Sequence, residues 1–204
     1  MRYTGPKRKL CRREKKNLFW TEKYVLKKGE KAPGQHGWAM QRMSEYGTLL
    51  RNKQAFKRMY ALTEKQFSKI INSTSKKYSK NKWISHDKAV VQFLERRCDV
   101  VLLRSWFAKT IMQARQMVVH GHWTLNWQKH NVPSYFMNWG DVLSLKKALV
   151  DSSLYEDAHN ISNVPVHLKV DKNKYTVEVL QLPDVDIETI DADVLKVIEF
   201  YARA

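Results

Sequence analysis

Apolar residues recur with a helical period in several segments of the chain. The period predicts helices over 44–60, 64–72, 88–104, 111–119 and 193–201. Side chains suited to N-caps precede several of these segments, and we expect the caps at Ser44, Thr63, Asp87 and Thr110. Short helices therefore account for much of the predicted structure.

An alternation of apolar and polar residues marks the strands. We predict a hairpin of residues 122–125 and 128–131 around the turn Asn126-Trp127, and a further strand at 140–145. A second hairpin should form around 171–173, from residues 164–170 and 174–180.

Two segments have neither pattern. Residues 1–42 contain several Pro and Gly and read as an irregular basic arm, which should order only on a partner. Residues 73–86 are rich in Ser and Lys and read as a linker.

The charge pattern indicates a polyanionic partner. The 204 residues carry a net charge of +17; residues 1–100 hold 26 Lys and Arg against 8 Asp and Glu, whereas residues 151–204 hold 5 against 11. Nucleic acid fits such a basic excess best. A solvated basic surface or an anionic membrane surface would explain it less well, because the cations are spread over several segments.

Composition narrows the class of protein. A hydrophobic fraction of 43% is too high for a disordered chain. No apolar run approaches the ~20 residues of a membrane span, and we expect neither a span nor a secretory signal. The two cysteines, Cys11 and Cys98, favour a reducing compartment over a disulfide scaffold.

Catalytic and metal motifs are missing from the sequence. It contains no Gly-rich phosphate loop and no G-x-S-x-G element, so we expect no enzyme and no cofactor. His120, His122 and His130 lack the closing pair of ligands that zinc requires, so no metal site is expected there. We expect these histidines to hydrogen-bond phosphate or a 2′-hydroxyl instead.

A helix–turn–helix followed by a hairpin would gather polar side chains along one edge. Arginine can donate two parallel hydrogen bonds to one phosphate, and histidine can donate a further hydrogen bond. The residues expected to form this RNA-binding edge are Arg96, Arg97, Lys109, Arg115, Gln116, His120 and His122.

The same segments resemble a known family. Leu94-Glu95-Arg96-Arg97-Cys98-Asp99, Ala114-Arg115-Gln116-Met117-Val118-x-His120-Gly121-His122 and Val132-Pro133-Ser134-Tyr135 strongly resemble the RNA-binding domain of bacterial small-subunit ribosomal protein four. Arg2-Tyr3-Thr4-Gly5-Pro6 and Pro33-Gly34-Gln35-His36-Gly37 resemble the start and the arm of that family.

The resemblance implies a structural protein of the small ribosomal subunit that binds small-subunit ribosomal RNA early in assembly and takes part in translation. It extends the expected RNA-binding residues to Arg2, Tyr3, Lys7, Arg8, Arg12, Arg13, Gln35, His36, Arg51, Lys53 and Arg58. It implies contacts with small-subunit ribosomal protein five and other small-subunit proteins, for which we expect Glu199, Tyr201 and Arg203. Messenger RNA stays open as a partner.

The chain departs from the family at several positions. Many relatives carry a four-cysteine zinc site in the arm, but Arg8 occupies its first position here, so we predict no zinc. Trp106 and Trp127 stand where the family usually has Gly, and a two-residue hairpin turn favours Asn-Gly. Either both are genuine substitutions, or both reflect UGA codons that the source organism decodes as Gly; the gene's codons distinguish the two.

These observations predict an α+β fold. We expect a small all-helical domain plus an RNA-binding domain of two helices packed with an antiparallel sheet, preceded by an extended basic arm. The expected boundaries are 1–42 for the arm, 43–90 for the helical domain, joined by a C-terminal helix at 184–204, and 91–183 for the RNA-binding domain.

The alternative is an RNA-modification or ribosome-rescue factor that uses the same RNA-binding module. Such an enzyme would need a catalytic domain, for which residues 1–90 are a poor candidate; a rescue factor would lack the arm motif at 33–37. A bacterial cytoplasm is the favoured location, with a mitochondrial or plastid ribosome as the other option.

Overall fold

The predicted mixture of helices and an antiparallel sheet is confirmed. The structure, a computed structural model, describes residues 3–19, 21–28, 30–37, 42–80, 84–155, 164–183 and 193–203. Its helices are α1 (Lys7–Glu14), α2 (Glu45–Met59), α3 (Glu64–Lys80), α4 (His86–Glu95), α5 (Cys98–Arg104), α6 (Ile111–Val119) and α7 (Val194–Arg203). Its strands are β1 (Trp123–Leu125), β2 (Gln128–Lys129), β3 (Val142–Leu145), β4 (Leu168–Asp171) and β5 (Thr176–Val179).

The chain divides into two compact units. The first consists of residues 1–90 and 186–204, and the second of residues 91–185. In the first unit, α7 packs on α2 and α3, and α1 packs on α2. The arm residues and the C-terminal helix thus belong to one unit with the helical segment.

The arm contains a helix that the sequence analysis did not predict. Lys7–Glu14 is helical and ends at Lys15, whose φ is 54°. Cys11, Glu14, Leu18 and Phe19 are buried. Gly and Pro flank this segment, but its own residues favour a helix and bury one face inside the first unit. The prediction that residues 1–42 are irregular was therefore wrong for Lys7–Glu14.

Helix α3 is longer than predicted. Ser44 and Thr63 cap α2 and α3 as expected, since Ser44 Oγ accepts from Gly47 N and Thr63 Oγ1 from Gln66 N. Helix α3, however, continues through most of the expected linker to Lys80. Within this segment Thr74 donates its hydroxyl to the Ile70 carbonyl at 2.9 Å, which lets a polar residue stay buried inside a helix.

The helix predicted over 88–104 is two helices. Arg97 is extended, with φ −69° and ψ 138°, and separates α4 from α5. The amide of Cys98 donates to the Tyr135 carbonyl at 2.9 Å, and the Arg97 backbone bridges to Phe136. These long-range hydrogen bonds replace the helical ones, which the periodicity alone could not reveal.

The sheet of the second unit is antiparallel throughout, with strand order β2-β1-β3-β5-β4. Asn126 and Trp127 connect β1 to β2 with φ of 47° and 64°, the positive values that a two-residue turn requires. Trp123, Leu143 and Val177 are fully buried and join Met117 of α6 in the core. The sheet therefore supports the two helices that precede it.

His167 gives the second unit a pH-dependent stability. Its side chain is 4% exposed, its Nε2 has no hydrogen-bond partner among the described residues, and burial lowers its pKa below the ordinary value. His167 therefore takes up a proton near pH 6.5 in the unfolded chain, but only at lower pH in the folded chain. The neutral, buried His167 contributes to stability above that pH, and this contribution is lost as the pH falls below it.

Lowering the pH from 7.5 to 5.5 should decrease the free energy of unfolding of both the wild type and His167→Leu. We expect the decrease to be about 1 kcal/mol larger in the wild type. Urea unfolding of both proteins at each pH measures this difference. Other histidines contribute equally to both proteins, so identical pH profiles would contradict the assignment to His167.

Candidate nucleic-acid interface

Two arginines of the predicted edge meet on one buried carboxylate. Arg97 donates Nε and Nη2 to the two oxygens of Asp99 at 3.0 and 2.9 Å, and Arg115 donates Nε and Nη2 to Asp99 Oδ2 at 3.0 and 2.8 Å. Arg97 is only 3% exposed, whereas the Arg115 side chain is 27% exposed. The Arg97 guanidinium is buried and holds α5 in place, whereas Arg115 is the arginine of this pair that reaches the surface. The RNA contact expected for Arg97 stays a prediction, and Arg115 is the more accessible candidate.

Helix α6 displays the other polar residues of this edge. Thr110 accepts from Gln113 N at 3.2 Å, which confirms the predicted cap, and the Gln113 side chain accepts from Lys109 N. Lys109 and Gln116 are exposed, while Ile111, Ala114 and Met117 face the core. The helix thus presents a basic, polar side to solvent.

Helix α6 ends in a histidine turn. Gly121 has φ +67°, and the amide of His122 donates to the Met117 carbonyl at 3.0 Å. The rings of His120 and His122 lie 6.0 Å apart, and His122 Nδ1 is 3.0 Å from the Tyr155 hydroxyl. Burial, His120 and Lys146 all lower the pKa of His122.

Arg96 is turned toward a loop of its own unit. Its Nε donates to the Met137 carbonyl at 2.9 Å and its Nη2 to Asn138 Oδ1 at 2.6 Å. The guanidinium also lies 5.8 Å from the ring centre of Phe93. Arg96 is half-buried, and these bonds orient the loop that precedes β3.

The segment that forms most of this edge, residues 101–150, contains little negative charge. Residues 101–150 contain six Lys and Arg and one acidic residue, Asp141. Asp141 is 9% exposed and accepts from Asn126 Nδ2 at 2.9 Å and from Asn138 N at 2.7 Å. Because its charge is buried and hydrogen-bonded, the exposed charges of this segment are all positive.

The arm arginines form ion pairs in the first unit. Arg8 donates Nε and Nη2 to Glu30, both at 3.1 Å, and Arg12 donates to the Lys31 carbonyl at 2.9 Å. Arg51 and Arg58 both pair with the buried Glu14. These four arginines hold the arm to itself and to α2, and each keeps between 24% and 45% of its side chain exposed.

The remaining candidates of the arm differ in accessibility. The Lys7 ammonium lies 5.9 Å from the ring centre of Phe19, and Tyr3, Arg13, Gln35 and His36 are exposed. Arg2 lies outside the described residues.

A second cluster links α7 to the helical segment. Glu64 accepts from Lys53 and Lys57 at 2.8 Å each and from the Tyr201 hydroxyl at 2.7 Å, and these hydrogen bonds lower its pKa to about 2 despite an opposing contribution from burial. Lys53 also lies 4.2 Å from the ring centre of Phe200. Lys53 is 6% exposed, so its expected RNA contact stays a prediction, and its ammonium is engaged by Glu64 and Phe200.

The residues expected to meet a protein partner are partly engaged with α7 itself and with α2 and α3. Tyr201 donates to Glu64, and Arg203 pairs with Glu45 at 2.9 Å and with Glu199 at 2.6 Å. Arg203 and Glu199 keep 56% and 41% of their side chains exposed, so they are more accessible than the Tyr201 hydroxyl.

One basic residue near the histidine turn escaped the sequence analysis. Lys146 follows β3 directly, and its amide donates to the His122 carbonyl at 3.0 Å. The strand pattern could have indicated the position of Lys146. When β3 pairs with β1, Leu145 lies opposite Trp123, and the next residue, Lys146, therefore lies beside His122.

Comparison with known proteins covers both units. Residues 2–95 match the family described as Ribosomal protein S4/S9 N-terminal domain, and residues 96–143 match the S4 domain. The chain is 35% identical over 212 residues to the small ribosomal subunit protein uS4 of Thermotoga petrophila, with 99% of each chain covered. Proteins of the same name from Kosmotoga olearia and Dictyoglomus thermophilum are 36% and 37% identical over 211 residues, again with 99% of each chain covered.

The chain belongs to the uS4 family. The family resemblance found in the sequence is thereby confirmed over nearly the whole chain.

A four-cysteine zinc site of the kind found in many uS4 proteins does not fit this arm. Arg8, at the first ligand position, is bound to Glu30. Cys11 is the only cysteine in residues 1–42, whereas such a site needs four, and burial raises the pKa of its thiol and so disfavours the thiolate that zinc would bind. Among the described residues there is no group of three or more His, Cys, Asp or Glu that could hold a metal ion.

The described helices of this uS4 protein also include none that is both long and apolar enough to cross a membrane.

Proposed function

We propose that this uS4 protein is a structural constituent of the small ribosomal subunit, that it binds small-subunit ribosomal RNA early in assembly, and that it takes part in translation. The observation that carries the proposal is the match to relatives named small ribosomal subunit protein uS4 over 99% of both lengths. No catalytic residue is assigned, and no observation favours the RNA-modification or ribosome-rescue alternative.

The geometry supports binding through phosphate and RNA shape. Lys109, Arg115, Gln116, His120 and His122 lie on α6 or at its ends, and the Asp99 and Asp141 carboxylates of this unit are buried. Such a surface attracts a polyanion without repulsion. Within the described part of the first unit, no ion pair holds the exposed or half-buried candidates Tyr3, Lys7, Arg13, Gln35 and His36. Arg8, Arg12, Arg51 and Arg58 would contact RNA with the exposed part of their paired guanidinium groups.

For protein partners, the proposal includes small-subunit ribosomal protein five, with Glu199 and Arg203 as the exposed contact residues and Tyr201 as a support for α7. Messenger RNA is a further proposed partner. The bacterial sources of the relatives favour a bacterial ribosome in the cytoplasm.

Filter binding tests the proposal. The wild type should bind a 5′-domain ribosomal RNA fragment more tightly than an unrelated structured RNA, and the logarithm of its affinity should fall linearly with the logarithm of salt concentration. Replacing Lys109, Arg115 and His120 together by Ala should weaken binding to the fragment and reduce the salt slope by about one for each lost phosphate contact.

The matched control changes Lys169 and Lys174 to Ala on the β4–β5 hairpin. These lysines lie 3.8 and 3.9 Å from Glu178 and Asp171, and their loss changes the formal charge as much as the loss of Lys109 and Arg115. The control should keep its selectivity. Equal affinity of the wild type for both RNAs would reject the ribosomal function and favour a generic basic protein.

A further inference from the structure

Lys146 completes a small basic site at the histidine turn. A Cβ atom built on Gly121 would lie 3.6 Å from Lys146 Nζ, so the ammonium rests against the backbone between His120 and His122. The hydrogen bond from Lys146 N to the His122 carbonyl fixes the backbone on the same side. Three nitrogen-bearing side chains therefore converge on one turn: His120 directly after α6, His122 directly before β1 and Lys146 directly after β3.

Tyr155 determines which nitrogen of His122 faces outward as a donor. The Tyr155 side chain is 1% exposed, and burial raises the pKa of its hydroxyl to about 12, so it keeps its proton. We assign the Tyr155 hydroxyl as the donor and His122 Nδ1, 3.0 Å away, as its acceptor, because a buried hydroxyl proton needs an acceptor. With Nδ1 as the acceptor, the proton of neutral His122 sits on Nε2, which becomes a hydrogen-bond donor.

The charges around this turn favour an anion. Among the described residues, His120 and Lys146 interact electrostatically with His122, and Tyr155 is its hydrogen-bonding neighbour. Besides burial, both interactions lower the pKa of His122, because they disfavour a positive charge on its ring. A bound anion would offset this repulsion and draw a proton onto His122.

We infer that Lys146, His120 and His122 together bind one backbone phosphate of the RNA, with the Lys146 ammonium and the His122 Nε2–H as donors. This inference rests on the proposed function and adds a contact to it. Lysine supplies a compact charge, and the histidine supplies a directed hydrogen bond.

Adjacent lysines provide the test. Lys146→Ala should weaken binding to the 5′-domain fragment about fivefold, the effect of one charge-assisted hydrogen bond. Lys147→Ala removes the same charge from the next residue, which is exposed and begins a 3-10 turn, and should weaken binding less than twofold. Thermal unfolding of each variant verifies that it is folded.

Equal losses in the two lysine variants would overturn the phosphate site, because only the total charge would then matter. If the wild type still selects the ribosomal fragment in that case, the proposed function stands without this site. If the wild type shows no selectivity, the function itself fails.

A pH series gives a second readout. Wild-type affinity should rise as the pH falls from 7.5 to 5.5, because protonation of His122 adds a positive charge beside the phosphate. His122→Gln should lose most of this gain while Lys147→Ala retains it. A wild-type affinity that does not change with pH, or an undiminished gain in His122→Gln, would overturn the role of His122.

Discussion

Changing Arg97 to Ala should destabilise the second unit by about 3 kcal/mol, the lower end of what loss of one partner costs a buried ion pair. Asp99 is completely buried and would keep only the hydrogen bonds from Arg115. Loss of the buried Arg97 side chain also leaves a cavity beside Asp99. Urea unfolding at pH 7 measures the difference.

Arg115→Ala is the comparison for this experiment. Arg115 shares the same carboxylate but is partly exposed, so its loss should cost less stability and more RNA affinity than the loss of Arg97. Tests of RNA binding should therefore leave Arg97 intact. If Arg97→Ala is as stable as the wild type and binds RNA more weakly, Arg97 is an RNA contact after all.

The double variant Trp106→Gly and Trp127→Gly should be more stable than the wild type by about 1 to 2 kcal/mol. Both tryptophans have φ of 64°, and the left-handed conformation costs an L-residue about 1 to 2 kcal/mol, part of which is offset by the greater backbone entropy of Gly. Both side chains are largely exposed, at 53% and 79%, so little packing is lost.

Thermal unfolding of the double variant should show a higher midpoint. Trp123→Gly is the control, because Trp123 is fully buried in a strand and its loss should destabilise the protein strongly. A lower midpoint in the double variant would show that the exposed indoles contribute packing that outweighs the backbone strain. The positive φ values agree with the strain expected at these positions, and the gene's codons decide whether Trp or Gly is native.

Local features of the fold were predictable. Thr110 caps α6 and Asn126-Trp127 forms the turn between β1 and β2, since caps and two-residue turns depend on side chains a few positions apart. The division of 88–104 at Arg97 was not predictable from periodicity, because the amide of Cys98 bonds to Tyr135, a residue far along the chain. Helix α1 was missed for a similar reason: its buried face is stabilised by packing on α2.

The candidate site shows the same division. Sequence motifs identified the edge made by Arg115, Gln116, His120 and His122, and the family resemblance assigned it to RNA binding. They could not distinguish Arg97 from Arg115, since both are arginines in basic surroundings. Lys146 had no motif of its own, and only the pairing of β1 with β3 brings it to the histidine turn.

By itself, the sequence determined the basic character of the chain, most of its helices and strands, and its resemblance to a ribosomal protein family. These properties depend on composition and on neighbours within a few residues. The tertiary structure decided which cations remain at the surface, because Asp99, Glu14 and Glu64 engage arginines and lysines from other elements. Burying a charge is favourable only beside a partner, and the partner's position depends on the whole fold.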